Sequence, residues 1–408
     1  MTTTADALVM GAGPAGTATA ILLARAGWQV VLVEQDSFPR RKVCGECITA
    51  GTLALLDELG IGAGVRAHAG PELRQVGWMS ESATLIADFP VCTPGPYRYG
   101  RALSREYLDT LLVERAQALG VTMLQPARVR AIGGDPGNYQ CEVETGRSAR
   151  YTLRAAVVID AHGSWQPAPS APSDHQRSRR RQSPSDLFGF KAVFQDTHLQ
   201  QGLLPVISLP GGYGGMVVAN QGQTTLACCL RRDTLSACRS KHRGLPVGEV
   251  VENFLRRSCR GVRESLQGAQ RLGPWLAVGP LWPGAHPAAG GAVFRVGNAA
   301  GESHPLIGEG ISMALQSAIL LTRELASHPA ATTPGTAPEL QRRYARAWRQ
   351  AFSPRLRVAA LYAHVAMRPW LASPARGISA RWPGLLGRAA RMAGKATGNF
   401  SQVSQESA

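Results

Sequence analysis

The first forty residues leave little freedom in what this chain can become. Asp6–Met10 and Gln29–Glu34 read as short buried strands rich in valine, and Ala15–Ala26 between them reads as a helix, which makes a βαβ unit. Gly11, Gly13 and Gly16 stand at the turn from the first strand into the helix, spaced as G-x-G-x-x-G. The first glycine permits the tight turn, the second lets a pyrophosphate approach the backbone, and the third lets helix and strand pack closely. Pro14 and Ala15 then open a helix whose free N–H groups face the phosphates. Glu34 ends the second strand about twenty residues on, where an acid takes ribose hydroxyls, with Gln35 beside it. A lone G-x-G-x-x-G is weak evidence. With strand, helix and acid all in place, it specifies a dinucleotide site.

A second glycine-rich segment, GNAAGESHPLIGEG at Gly297–Gly310, lies near the end of the globular body and opens the helix Ile311–Leu325. Between the two, Ser104–Leu119 repeats apolar residues at helical spacing and Ala155–Asp160 reads as a further buried parallel strand. From Leu187 to Leu230 the pattern turns to alternating strands around PGGYGG, which suggests a mostly antiparallel sheet. These readings divide the chain into a nucleotide domain in three parts (1–75, 101–165 and 276–328) and an inserted sheet in two (76–100 and 187–275). A basic Pro/Ser-rich loop (166–186), a linker (329–338) and a basic helical tail (339–408) complete it. In the tail Tyr344, Trp348, Phe352 and Leu356 recur every four residues, as one buried helix face requires.

Three motifs carry a resemblance. PRRKVCGECI at Pro39–Ile48 is similar to the P-R-x-K-x-C-G-x-x-[LI] stretch of geranylgeranyl reductase-like enzymes and parallels the G-E-S stretch of flavin halogenases. VIDAHG at Val158–Gly163 occupies the place of a second FAD strand and turn, and GNAAGESHPLIGEGISMAL at Gly297–Leu315 is similar to G-D-A-A-G-x-x-x-P-x-x-G-E-G-I. The chain thus resembles the FAD-dependent oxidoreductases built like aromatic hydroxylases, in their geranylgeranyl reductase-like and flavin halogenase-like branches. That resemblance implies an α/β fold: a doubly wound (Rossmann-like) FAD-binding domain, an inserted mainly antiparallel β-sheet substrate domain and a helical C-terminal region. It adds Arg41, Cys44, Gly45, Arg105, Asn298, Gly301, Pro305, Gly308, Gly310 and Ile311 to the expected FAD contacts. The helix beginning at Gly308–Ile311 would point its positive end at the anionic edge of reduced flavin.

Glu46 is a candidate general acid or base, with a loop-capping glutamate as the alternative. His304 is a candidate for catalysis or for a structural hydrogen bond, and Glu302 is similar. Cys44 and Cys47 form C-x-x-C; the resemblance makes Cys44 a lining residue of the flavin face, and a catalytic one, in preference to half of a redox dithiol. The aromatic pair that the reductases carry over the substrate is missing, and the matching place reads Tyr213-Gly214-Gly215-Met216. Tyr213, with glycines on both sides, is expected to roof the substrate, with a simple hairpin turn as the alternative, and Met216 is expected at the substrate with it. The sequence departs from its relatives at Asn298, where they carry Asp, and at His162, where the hydroxylases carry the Asp of A-D-G. The halogenases' W-x-W-x-I-P is absent, which disfavours halogenation.

The reaction expected is hydroxylation of a hydrophobic aromatic or polyketide-derived substrate through a flavin hydroperoxide, with NAD(P)H as external reductant or a separate electron donor in its place. The alternative is reduction of isoprenoid double bonds. More distant alternatives are a dithiol flavoenzyme and a basic nucleic-acid-binding protein. The net charge of +16 arises from 44 basic against 28 acidic residues, and only four of the basic residues are lysines. Twelve basic residues face one acid, Glu339, between Ala337 and Phe400, so the tail is expected to meet an anionic membrane surface. Zinc-finger spacing, RNA-binding aromatics and basic-region heptads are missing, which argues against a specific nucleic-acid partner. Scattered cysteines, no apolar run of eighteen and no export signal lead to the expectation of a cytoplasmic protein, peripheral to the inner face of the membrane.

Overall fold

The computed structural model describes residues 3–89, 91, 95–146, 149–164, 182–286, 293–328, 337–368 and 370. The strand Thr3–Met10 runs parallel to Val30–Val33 on one side and to Arg150–Asp160 on the other. Thr122–Leu124 extends the sheet beyond Val30–Val33, and Phe294–Arg295 joins the far end of Arg150–Asp160, both in parallel. Val30–Val33 and the stretches Ala7–Met10 and Ala155–Ile159 are nearly continuous apolar runs because both faces are covered. On one face pack the helices Pro14–Arg25, Arg105–Ala118 and Gly310–Ala326. On the other, Leu8, Met10, Val31 and Val158 meet Val129, Tyr139, Cys141 and Val143 of an antiparallel hairpin, Ala127–Asp135 with Asn138–Thr145.

The second sheet has the strand order Gln270–Arg271, Leu187–Gln195, Thr224–Arg231, Gly212–Val218, Leu203–Leu209, Gln75–Met79, Thr84–Asp88. Its pairings are antiparallel except that of Leu203–Leu209 with Gln75–Met79. The strand Leu276–Leu281 pairs with Leu187–Gln195 and so lies in this sheet, whereas the sequence reading began the third nucleotide segment at 276. Helices Arg232–Lys241, Val247–Ser258 and Arg260–Ser265, absent from that reading, back one face. Val251, Leu255 and Val262 there bury against Phe190, Ile207, Met216 and Leu226.

The helix Ala337–Ala366 is a working part of the body. Leu340, Tyr344, Trp348, Phe352 and Leu356 are all buried in the nucleotide-domain core, and Tyr344 donates its hydroxyl to the Arg295 carbonyl at 2.8 Å. Burying each such side chain contributes about 1.5–3 kcal/mol. The loop at 165–181 and most of the linker and tail (329–336, 369 and 371–408) lie outside the described residues, and the expectations made for them go with them. Among the described residues no helix is long and apolar enough to cross a membrane.

Candidate active site

Three helix N-termini converge on the seam between the two sheets. The first is the turn after Thr3–Met10. Gly11 has φ +104°, and a Cβ there would stand 2.6 Å from the Ala161 carbonyl oxygen; one on Gly16 would stand 1.9 Å from the Gly11 carbonyl oxygen. Only glycine fits either place. Gly13, by contrast, faces open space bounded by the Arg105 guanidinium, 3.8 Å from where its Cβ would be. No side chain caps the helix Pro14–Arg25, so its first N–H groups remain available. Ala15 lies beneath the second glycine segment, 2.7 Å from the Cβ position of Gly297, which brings the two motifs into contact.

Glu34 is buried at the exit of its strand and accepts from Ala12 N at 2.8 Å and Asp36 N at 3.1 Å; Gln35 is half-buried next to it. The basic pair of the PRRK stretch divides. Arg40 is buried, with Nη2 3.2 Å from Glu34 and 3.6 Å from Asp109, while its Nε and Nη1 find no hydrogen-bond partner among the described residues. Arg41, the residue expected in the cradle, turns outward to Glu106 and the Leu272 carbonyl. An irregular loop has no period to reveal which neighbour turns inward. Arg105 grips the fully buried Asp109 with two bonds of 2.7 Å. Burial works against its charge, and Asp109 outweighs burial and holds the guanidinium above its ordinary pKa.

The second N-terminus is that of Arg105–Ala118, and its cap is Glu46, whose carboxylate accepts from Arg105 N at 2.9 Å. The same carboxylate accepts from Thr225 Oγ1 at 2.5 Å and from Lys191 Nζ. Lys191 and Thr225 are diagonal neighbours on one face of the substrate sheet, so Glu46 ties the two domains together. It is 1% exposed and holds φ +60°, a conformation uncommon for a side chain other than glycine. Next to it Cys44, half-buried, accepts from Glu46 N at 3.3 Å and contacts the Arg105 guanidinium. Gly45 has nothing within 4 Å of a Cβ position. Cys44 and Cys47 are both free thiols.

The third N-terminus is Gly310–Ala326, reached through the turn Pro305–Ile307 and Gly308 at φ +66°. Gly310 also faces open space, Pro305 is exposed, and Ile311 is in the core. Asn298 donates from Nδ2 to Ser164 Oγ at 3.0 Å. Gly301 sits under Trp348, whose ring would lie 2.3 Å from a Cβ, so packing of the C-terminal helix explains this glycine. His304 Nδ1 lies 3.1 Å from the Tyr213 hydroxyl, which joins the flavin loop to the substrate sheet. Burial lowers the His304 pKa to about 4. Burial also raises that of Tyr213, assisted by Cys229 and Glu302 nearby. Met216, expected beside Tyr213, is on the opposite face of the same strand, within the helix-backed core, because side chains three apart in a strand point to opposite sides.

FAD fits this arrangement. Gly13, Gly45 and Gly310 each leave open space, at the first turn, at the Cys44 turn and at the late helix, and the buried, unsatisfied donors of Arg40 suit a phosphate or ribose oxygen beside Glu34. The FAD binding domain family matches residues 4–230, more than half of the chain. The chain belongs to this family. Over 159 residues this FAD-binding protein is 33% identical to a menaquinone reductase of Mycobacterium tuberculosis, covering 38% of this chain and 37% of that one. Over 161 residues it is 33% identical to the 6-methylpretetramide 4-monooxygenase of Streptomyces rimosus, covering 39% and 38%. The chain thus spans under two fifths of the length of these curated relatives. A geranylgeranyl bacteriochlorophyll reductase-like protein from Thermoplasma acidophilum superposes with a TM-score of 0.70 at 16% identity, covering 98% of this chain and 94% of the other, a likeness of fold. The resemblance stated from the motifs is thereby borne out at the level of the FAD-binding family and the fold.

Arg40, Asp109, Lys191 and Thr225 were not among the residues singled out from the sequence. One signal was available: Lys191 is one of four lysines and interrupts an apolar strand, FGFKAVF, where an unpaired charge cannot stay.

Proposed function

We propose that this flavoprotein is a monooxygenase that hydroxylates a hydrophobic aromatic or polyketide-derived substrate. When bound and reduced, FAD supplies an electron pair for reaction with dioxygen, and NAD(P)H or a separate donor protein replaces it. The observation that carries the choice is the state of His304. Its ring is neutral near pH 7, and among the described residues Nε2 has no protein partner. In this reading Nδ1–H donates to Tyr213 Oη, the Tyr213 hydroxyl donates to Cys229 Sγ, and Nε2 keeps its lone pair. A phenol that donates its O–H to Nε2 gains electron density in the ring, which electrophilic oxygen transfer requires. Saturating a carbon–carbon double bond requires instead a group that releases a proton near neutral pH. Burial withholds that proton from His304 and strengthens the hold of Tyr213 on its own. The similarity to the Streptomyces monooxygenase supports the same reading.

The second reading, reduction of isoprenoid double bonds, is supported by the similarity to the menaquinone reductase. Reduced holoenzyme offered alkylphenols and prenyl lipids with and without oxygen separates the two. Product from a phenol in the presence of oxygen and none in its absence supports hydroxylation. Anaerobic turnover of a prenyl lipid would refute it. His304→Gln is expected to lower the rate with phenols about 100-fold, the lower range of a positioned acid–base group.

A further inference from the structure

The outer side of the substrate domain carries a second concavity, apart from the flavin cradle. A cavity of about 460 Å³ lies between the helices Arg232–Lys241 and Val247–Ser258 and the turn at Pro210 and Gly211. Its floor is apolar, with Phe254 and Ala237, while Lys241, His242 and Arg257 line it and no carboxylate does. Arg257 Nη1 donates to His242 Nε2 at 3.1 Å, so the two basic groups face each other across the rim. Acids close by in the sequence have other partners: Asp233 pairs with Arg231, Glu252 with Arg256 and Arg271, and Glu264 with Arg260. Among the described residues no carboxylate pairs with Lys241, Arg243 or Arg257.

Two protruding apolar side chains adjoin this uncompensated charge. Leu245, 44% exposed, follows His242 by three residues. Gly211, which lines the cavity, donates its N–H to the Met367 carbonyl at 3.1 Å. Trp370, 70% exposed, comes three residues later, within about 11 Å of Met367 by chain length alone. Cations with no protein counter-charge, beside exposed leucine and tryptophan, are the composition of a surface that meets lipid headgroups.

We propose that this cleft is a headgroup site through which the protein docks on an anionic phospholipid bilayer. Lys241 and Arg257 pair with the lipid phosphate, the apolar floor receives the glycerol end of the chains, and Leu245 and Trp370 enter the interface. The docking is independent of which reaction the flavin performs. Cys238 supplies a native reporter, since it is half-buried and lines the same cavity.

The test uses the flavin-loaded full chain with vesicles of phosphatidylcholine alone or mixed with phosphatidylglycerol, read by flotation and by peptide mapping of Cys238 alkylation. The mixed vesicles are expected to float the protein and to slow alkylation of Cys238 several-fold, and the neutral ones to do neither. Lys241→Gln with Arg257→Gln should weaken partitioning about 25-fold at low salt, at roughly fivefold per basic residue near the surface. Arg346→Gln with Arg349→Gln removes equal charge from the exposed face of the C-terminal helix and should weaken it far less. Equal losses from both pairs would overturn the proposal, because net charge alone would then explain binding. So would protection of Cys238 by inorganic phosphate in a protein that does not float, which would mark a site for a soluble anion.

Discussion

Glu46 decides between two accounts of the seam, and its geometry yields a number. The carboxylate is 1% exposed and Lys191 is 3% exposed, so each is the other's buried counter-charge. Glu46→Gln keeps the shape and an oxygen for Arg105 N, turns its amide nitrogen towards Thr225 Oγ1, and leaves the lysine without a counter-charge. Breaking a buried pair from one side costs about 3–5 kcal/mol. Lys191→Met should cost less, about 2 kcal/mol, because the remaining carboxylate keeps the Thr225 hydroxyl and the positive end of the Arg105–Ala118 helix. The double variant removes both charges and should cost no more than Glu46→Gln alone, so the two single losses should overshoot the double one by about 2 kcal/mol in a urea-denaturation cycle. Flavin retention and turnover would then follow stability. If Glu46→Gln unfolds within about 0.5 kcal/mol of the parent while turnover falls 100-fold, the reasoning fails and the carboxylate moves protons.

Three further outcomes follow from the same geometry. Gly13→Val places a branched side chain in the open space beside Arg105, so the protein should purify without flavin and melt close to the flavin-free parent; retained yellow colour would remove the pyrophosphate from that turn. Trp348→Ala empties the contact over Gly301 and should cost about 3–5 kcal/mol, measured by denaturant midpoint, and a loss under 1 kcal/mol would show that the C-terminal helix is held elsewhere. Because burial depresses the His304 pKa to about 4, the unfolded chain binds a proton below about pH 6.5 while the native state does not. Stability should therefore fall as pH drops from 6.5 towards 4, by on the order of 3 kcal/mol at most, and His304→Gln should flatten that slope.

What the sequence disclosed was local. Gly11, Gly13, Gly16 and Glu34 fall within one βαβ unit, where the spacing along the chain already sets the spacing in space. The stripe Tyr344, Trp348, Phe352, Leu356 likewise states its own buried face. Met216 was legible too: three residues from Tyr213 in a strand, it had to point the other way, and only the motif comparison placed both at the substrate. Arg40 and Arg41 were not legible, since neighbours in a loop carry no periodicity. Nor were the side-chain partners of Glu46, Lys191 and Thr225, which come from 145 and 179 residues further on.

That distance bears on how the site is built. A carboxylate in a left-handed turn, 1% exposed, is costly by itself, in backbone strain and in desolvation alike. It persists because a helix terminus from one domain and a lysine and a threonine from the other converge on it. The turn that carries it also presents Cys44 and the open face of Gly45 to the cradle. Docking of the substrate sheet thus sets the backbone of the flavin-facing turn. A chain that folds its nucleotide domain without that sheet would leave Glu46 with only the helix terminus as a partner, and the strained turn would relax. Lys191→Met should accordingly weaken flavin retention although Lys191 lies on the substrate sheet, and unchanged affinity for FAD in that variant would show that the turn holds its shape unaided.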